Sequence, residues 1–181
     1  ENPLSSAGNH HHVPWFNCPC CPPNVARTLA SIGRFFYSTG DGGLWVHLFA
    51  GNEAQVEVDG APVRVTQVTG YPWDGAVEII LEPGAPREFT LHLRVPGWCK
   101  RFSLSVNGAA MPLQPEVNGY LAIRRELHDG DRVVFGMEMP VRAVWANPAV
   151  RQLLGRVAIQ RGPIVYCLEG ADHGGILLDR I

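Results

Sequence analysis

Three cysteines stand within four positions in the stretch "WFNCPCCPPNVAR", residues 15 to 27 of a 181-residue chain. They are Cys18, Cys20 and Cys21. As a thiolate, sulfur is both a strong nucleophile and a soft metal ligand. Pro19, Pro22 and Pro23 stiffen the backbone around the cluster and restrict it to extended conformations. A segment of that kind can aim neighbouring thiols at one point, and zinc bound at about 2.3 Å would fit two of them. A closed tetrahedral site needs four ligands, however, and the two remaining cysteines, Cys99 and Cys167, stand alone. Such a site has to be completed from elsewhere. Cys21 also lies three residues ahead of a predicted helix, whose positive end favours a thiolate by about 0.3–1 kcal/mol when exposed. One of these sulfurs is therefore a candidate nucleophile as well as a candidate ligand. For Cys99 and Cys167 the better reading is a small buried apolar side chain. The run His10-His11-His12 offers imidazole ligands, but a solvated loop or a cloning scar explains it more simply.

The elements that position this cluster follow from periodicity. Residues 24 to 38 place Val25, Leu29, Ile32 and Phe36 at helical spacing, with Asn24 as N-cap and the glycines of "STGDGG" as the stop. From Leu44 onward the pattern is short alternating segments rich in β-branched and aromatic residues. Turn signals separate them at Asp59-Gly60, Pro83-Gly84, Pro96-Gly97, Asn107-Gly108, Asn118-Gly119 and Asp129-Gly130. The expected fold is mainly β, an antiparallel β-sandwich preceded by one helical segment. Residues 1–40 read as the remnant of a helical domain and 41–181 as the sandwich, with a second sandwich starting near 141. Both ends of the chain read as cuts.

Composition excludes several function classes. A net charge of −2 leaves no basic footprint for nucleic acid and no polybasic surface for a membrane. An odd number of cysteines argues against a fully paired disulfide framework. Reduced thiols point to a reducing, cytoplasmic compartment, and a bacterial source is expected, although a chain that begins at Glu1 leaves a signal peptide open. Glu78, Glu82, Asp129 and Asp131 sit at strand ends or turns and read as solvated. No phosphate loop, Ser-His-Asp spacing or dinucleotide fingerprint is present. Trp45, Trp73, Trp98 and Trp145 are candidate sugar platforms for an accessory binding module, with core or interface packing as the favoured reading.

The segments "ENPL", "PWFNCPCCPPNVARTLASIGRFFYS", "FTLHLRVPGWCK", "VNG" and "GRVAIQRGPIVYCLEG" together resemble glycoside hydrolase family 127, whose members act as β-L-arabinofuranosidases. The resemblance runs over essentially the whole chain. It implies an (α/α)6 barrel carrying the active site, followed by β-sandwich domains, with the helix of residues 24–38 as the last of the barrel. It further implies that Cys20 is the nucleophile and a zinc ligand, and that Cys21 is a second ligand. Cys18 matches a third cysteine of the motif, placed around the metal. The other ligands, a glutamate and a cysteine, and the acid/base glutamate lie upstream in the family and are absent here. The implied reaction is a double displacement with retention on an L-arabinofuranose-containing oligosaccharide or glycoconjugate. A homodimer is the expected assembly. The chain alone is expected to be inactive. The alternative is a non-catalytic carbohydrate-binding or structural sandwich with a structural zinc or thiol site.

Overall fold

The computed structural model describes residues 20–112, 114–116 and 118–167. Cys18 and the His10–His12 run lie outside them. The chain forms two compact units, dividing between Phe35 and Phe36.

In the first unit, helix α1 spans Cys21–Ser31 and continues as a 3-10 turn over Ile32–Phe35. This differs from the sequence reading at both ends. The helix begins three residues earlier, with Cys20 as N-cap, because Pro22 and Pro23 are accommodated in the first turn, where their missing N–H groups have no partner to lose. Asn24 lies inside the helix. The far end is shorter than expected, because "STGDGG" serves a hairpin. Asp41 and Gly42 adopt positive φ (47° and 67°) and turn the chain from β1 (Tyr37–Gly40) into β2 (Gly43–Val46). Val25 and Leu29 of α1 and Ile32 at the start of the 3-10 turn continue one apolar stripe and are exposed.

The second unit is mainly β. Its strands continue as β3 (Asn52–Val58), β4 (Ala61–Thr69), β5 (Ala76–Glu82), β6 (Arg87–Arg94), β7 (Phe102–Val106) and β8 (Ala109–Ala110). Next come β9 (Tyr120–Leu127), β10 (Asp131–Met137), β11 (Val141–Trp145), β12 (Val157–Arg161) and β13 (Ile164–Tyr166). One sheet has the order β1-β2-β6-β9 and a second the order β3-β4-β5-β10-β7-β8. Their inner faces share one core, built by the period-2 pattern: Val77, Ile79 and Leu81, Phe89, Leu91 and Leu93, Leu121 and Ile123, and Val133, Phe135 and Met137. Each such side chain contributes about 1.5–3 kcal/mol by leaving water. The expected antiparallel sandwich is present, with one exception. β2 and β6 pair in parallel, because the chain crosses to the other sheet for β3–β5 and returns in its original direction. Asp59-Gly60 and Asn107-Gly108 form two-residue hairpin turns with both residues at positive φ, as their residue types predict. A third sheet, β11-β12-β13, follows Pro140.

Candidate functional site

The thiol pair is set by the start of α1. Cys20 caps the helix and Cys21 is its first residue, both are exposed, and their sulfurs lie 3.8 Å apart. That is far beyond the roughly 2.05 Å of a disulfide. Two thiolates each about 2.3 Å from a tetrahedral metal would themselves be separated by about 3.8 Å, so the pair fits half of a zinc site. Among the described residues no group of three or more His, Cys, Asp or Glu side chains is placed to hold a metal. A zinc site at this pair would therefore need further ligands from outside those residues.

The sequence reading missed what holds this pair. Asn24 donates its side-chain amide to the Cys20 carbonyl (2.8 Å), and its backbone N–H reaches the same oxygen at 3.2 Å. Its Oδ1 accepts from Arg27 Nη1 at 3.0 Å. Asn24 is thus a brace on the Cys20 backbone, and Arg27 fixes the amide's orientation. The signal was the i, i+3 and i, i+4 spacing of Cys20, Asn24 and Arg27, which shares one helix face.

Other candidates in the second unit resolve into structural roles. Glu78 pairs with Arg132 at 2.6 Å, Glu82 lies 3.9 Å from Arg64, and Asp129 accepts from the Gly84 N–H. Asp131 is buried rather than solvated, accepting from Asn107 Nδ2 and from the His128 N–H. Burial alone would raise its pKa, but these bonds and the nearby Arg125 outweigh that and leave it below the usual aspartate value. Cys99 is buried as expected, its thiol donating to the Arg101 carbonyl, and burial pushes that thiol up. Cys167, expected to be buried, is exposed. Trp45 stacks on His92 (4.2 Å between centroids) and Trp98 packs against Tyr71 and the core. Trp73 and Trp145 are exposed and so are not part of this chain's core.

Along the chain, then, a thiol pair at a helix start is followed by an antiparallel sandwich and a further three-stranded sheet. Residues 43–139 match the β-L-arabinofuranosidase, GH127 middle domain, and residues 141–180 match the glycoside hydrolase family 127 C-terminal domain. A non-reducing end β-L-arabinofuranosidase of Bifidobacterium longum subsp. longum is 37% identical over 183 residues, covering 98% of this chain. The crystal structure of Ara127N-Se, a GH127 β-L-arabinofuranosidase from Geobacillus stearothermophilus T6, superposes with a TM-score of 0.86 at 44% identity over 96% of this chain. A GH127 β-arabinofuranosidase structure gives 0.80 at 37% identity over 88%. The chain belongs to glycoside hydrolase family 127. It spans 27% of the length of the Bifidobacterium relative and 28% and 27% of the two structures.

Proposed function

We propose that this chain carries the nucleophile and half of the zinc site of a retaining β-L-arabinofuranosidase, and that the chain by itself is inactive. The observation that supports this is the pair of sulfurs at 3.8 Å on the start of α1, with the Cys20 backbone braced by Asn24. On this reading residues 1–40 belong to the helical catalytic domain and 41–181 to the sandwich, with a further domain from about 141. Cys20 and Cys21 would hold zinc together with two ligands from elsewhere in the whole protein; when bound, the metal would keep the thiols deprotonated and oriented.

In the first step the Cys20 sulfur attacks the anomeric carbon. A carbon–sulfur bond forms as the bond to the leaving oxygen breaks, and that oxygen takes a proton from a carboxylic acid outside this chain. In the second step water attacks the same carbon, returns its proton to the carboxylate and releases the sulfur, so two inversions give net retention. The Asn24 brace keeps the sulfur aimed by fixing the backbone from which it projects, and a misplacement of about 1 Å is costly in such a step.

The test compares the whole protein, reduced and zinc-loaded, with its Cys20→Ser variant for release of p-nitrophenol from the aryl β-L-arabinofuranoside. Loss of turnover by at least about 10³-fold with fold and bound zinc retained supports the nucleophile. Equal activity refutes it. Joint loss of zinc, stability and activity favours a structural thiol site instead.

A further inference from the structure

We propose that Pro22 and Pro23 keep the Cys20 sulfur reactive by withholding backbone N–H groups from it. This rests on Cys20 being the nucleophile of a zinc-bound pair, as set out above. The two prolines act through that sulfur rather than on the substrate, and every residue involved lies in the first unit.

A helix start ordinarily presents several N–H groups that have no partner inside the helix. They converge on whatever acceptor stands at that end, and an N-cap side chain takes its hydrogen bond from the second or third helical residue. In α1 those two residues are Pro22 and Pro23, whose nitrogens carry no hydrogen. The next N–H, that of Asn24, goes to the Cys20 carbonyl at 3.2 Å, and the Asn24 side chain goes to the same oxygen. The first turn thus directs its donors to a carbonyl, and it donates no hydrogen bond to the Cys20 side chain. Cys21 is treated alike, since the two residues that follow it are the same prolines.

A purely structural role explains part of this pattern. Proline fits a first turn because its missing N–H has no helical partner to lose. One proline would satisfy that role, and its favoured place is the first helical position, which Cys21 holds here. Two prolines at the second and third positions remove the very donors that a capping side chain uses. The chemical consequence has a definite sign. A thiolate that accepts hydrogen bonds is stabilised, and its intrinsic nucleophilicity falls with its basicity, with a Brønsted coefficient of about 0.4–0.5. At the usual strength of a hydrogen bond to a charged acceptor, one restored donor should slow attack by about three- to tenfold. The sulfur of α1 is spared that loss.

The experiment compares the whole protein with Pro22→Ala, Pro23→Ala and the double variant. Alanine restores the N–H and continues the helix. Alkylation of Cys20 by iodoacetamide is followed by peptide mass mapping in the zinc-free protein, at the high-pH plateau where every thiol is ionised. Zinc affinity is measured separately by competition with a chelator. The expected result is alkylation at least about three- to tenfold slower in the double variant, with zinc held no less tightly than in wild type. Unchanged or faster alkylation overturns the proposal. So does slower alkylation joined to weaker zinc binding, which would make the prolines mere stiffeners of the helix start. The two single variants, read by the same criteria, decide the matter if the double variant fails to fold. Should wild type leave the aryl β-L-arabinofuranoside intact, the nucleophile reading fails, while alkylation and zinc affinity still decide the role of the prolines.

Discussion

Truncating Phe135 to alanine should unfold the sandwich at a far lower denaturant concentration, and the size of the effect can be worked out from its surroundings. Phe135 is fully buried at the middle of β10, with ring centroids 5.8 Å from Phe49 and 5.7 Å from Phe102. Removing the ring forfeits about 1.5–3 kcal/mol of burial and two aromatic pairs of about 0.5–1.5 kcal/mol each. The cavity is only partly closed by relaxation, and the total should fall near 3–5 kcal/mol. For a chain of this size that lowers the melting temperature by roughly 6–20 °C. The control is the adjacent Val134, on the opposite face of the same strand and 40% exposed. Val134→Ala should cost less than about 1 kcal/mol. Guanidinium unfolding followed by circular dichroism measures both, and unchanged m-values would show that the comparison is of folded-state stability. If the two variants lost similar stability, the assignment of inner and outer faces on β10 would be refuted, and with it the register on which the core rests.

Gly75→Ala should destabilise by about 1–3 kcal/mol, because the added methyl meets the backbone of Met137 rather than a movable side chain; a neutral result in thermal melts would contradict the close approach. Stability should also rise with pH through the window just below 6.5. Burial holds His47 below its usual value, with Arg94 alongside, and burial likewise lowers His92 against the opposing influence of Glu116. The unfolded chain therefore takes up protons first as pH falls, so the stabilisation is present above 6.5 and is lost as pH drops toward the folded values. His47 bridges Ser38 and Tyr120 at 2.7 Å on each side. Melting temperatures of wild type and His47→Gln at pH 7.5 and 5.5 test this, and an equal pH slope in the two would remove His47 as a source.

Much of the sandwich was legible because its inner faces alternate strictly and its hairpins carry Asp-Gly and Asn-Gly pairs. Those signals are local. What escaped was decided by pairing at a distance. Tyr37–Gly40 carries no apolar alternation of its own and is a strand only because Leu44–Val46 runs beside it. Val141–Trp145 went unread because most of its side chains face solvent, leaving no inside–outside contrast. The parallel pairing of β2 with β6 depends on where three intervening strands go, which no short window contains. The start of α1 was misplaced because Pro22 and Pro23 were read as extended, although proline is equally at home in a first helical turn.

The site divides in the same way. The residue types that could act, Cys20 and Cys21, are evident from their crowding, since adjacent thiols flanked by prolines have few other uses. Their separation and the Asn24 brace emerge only once the helix start is in place. Residues 20–35 contain no Asp or Glu, so this helix can supply sulfur and its aim but no proton donor. In the sandwich unit several described carboxylates are engaged with partners of their own: Glu78 with Arg132, Glu88 with Arg124, Glu138 with Arg101, Glu126 with His128, and Asp131 with the Asn107 side chain and the His128 N–H. A glycosidic bond cannot leave at a useful rate without protonation of its oxygen. Among the described residues of the first unit the thiol pair therefore has no proton donor, which supports the inactivity proposed for the chain.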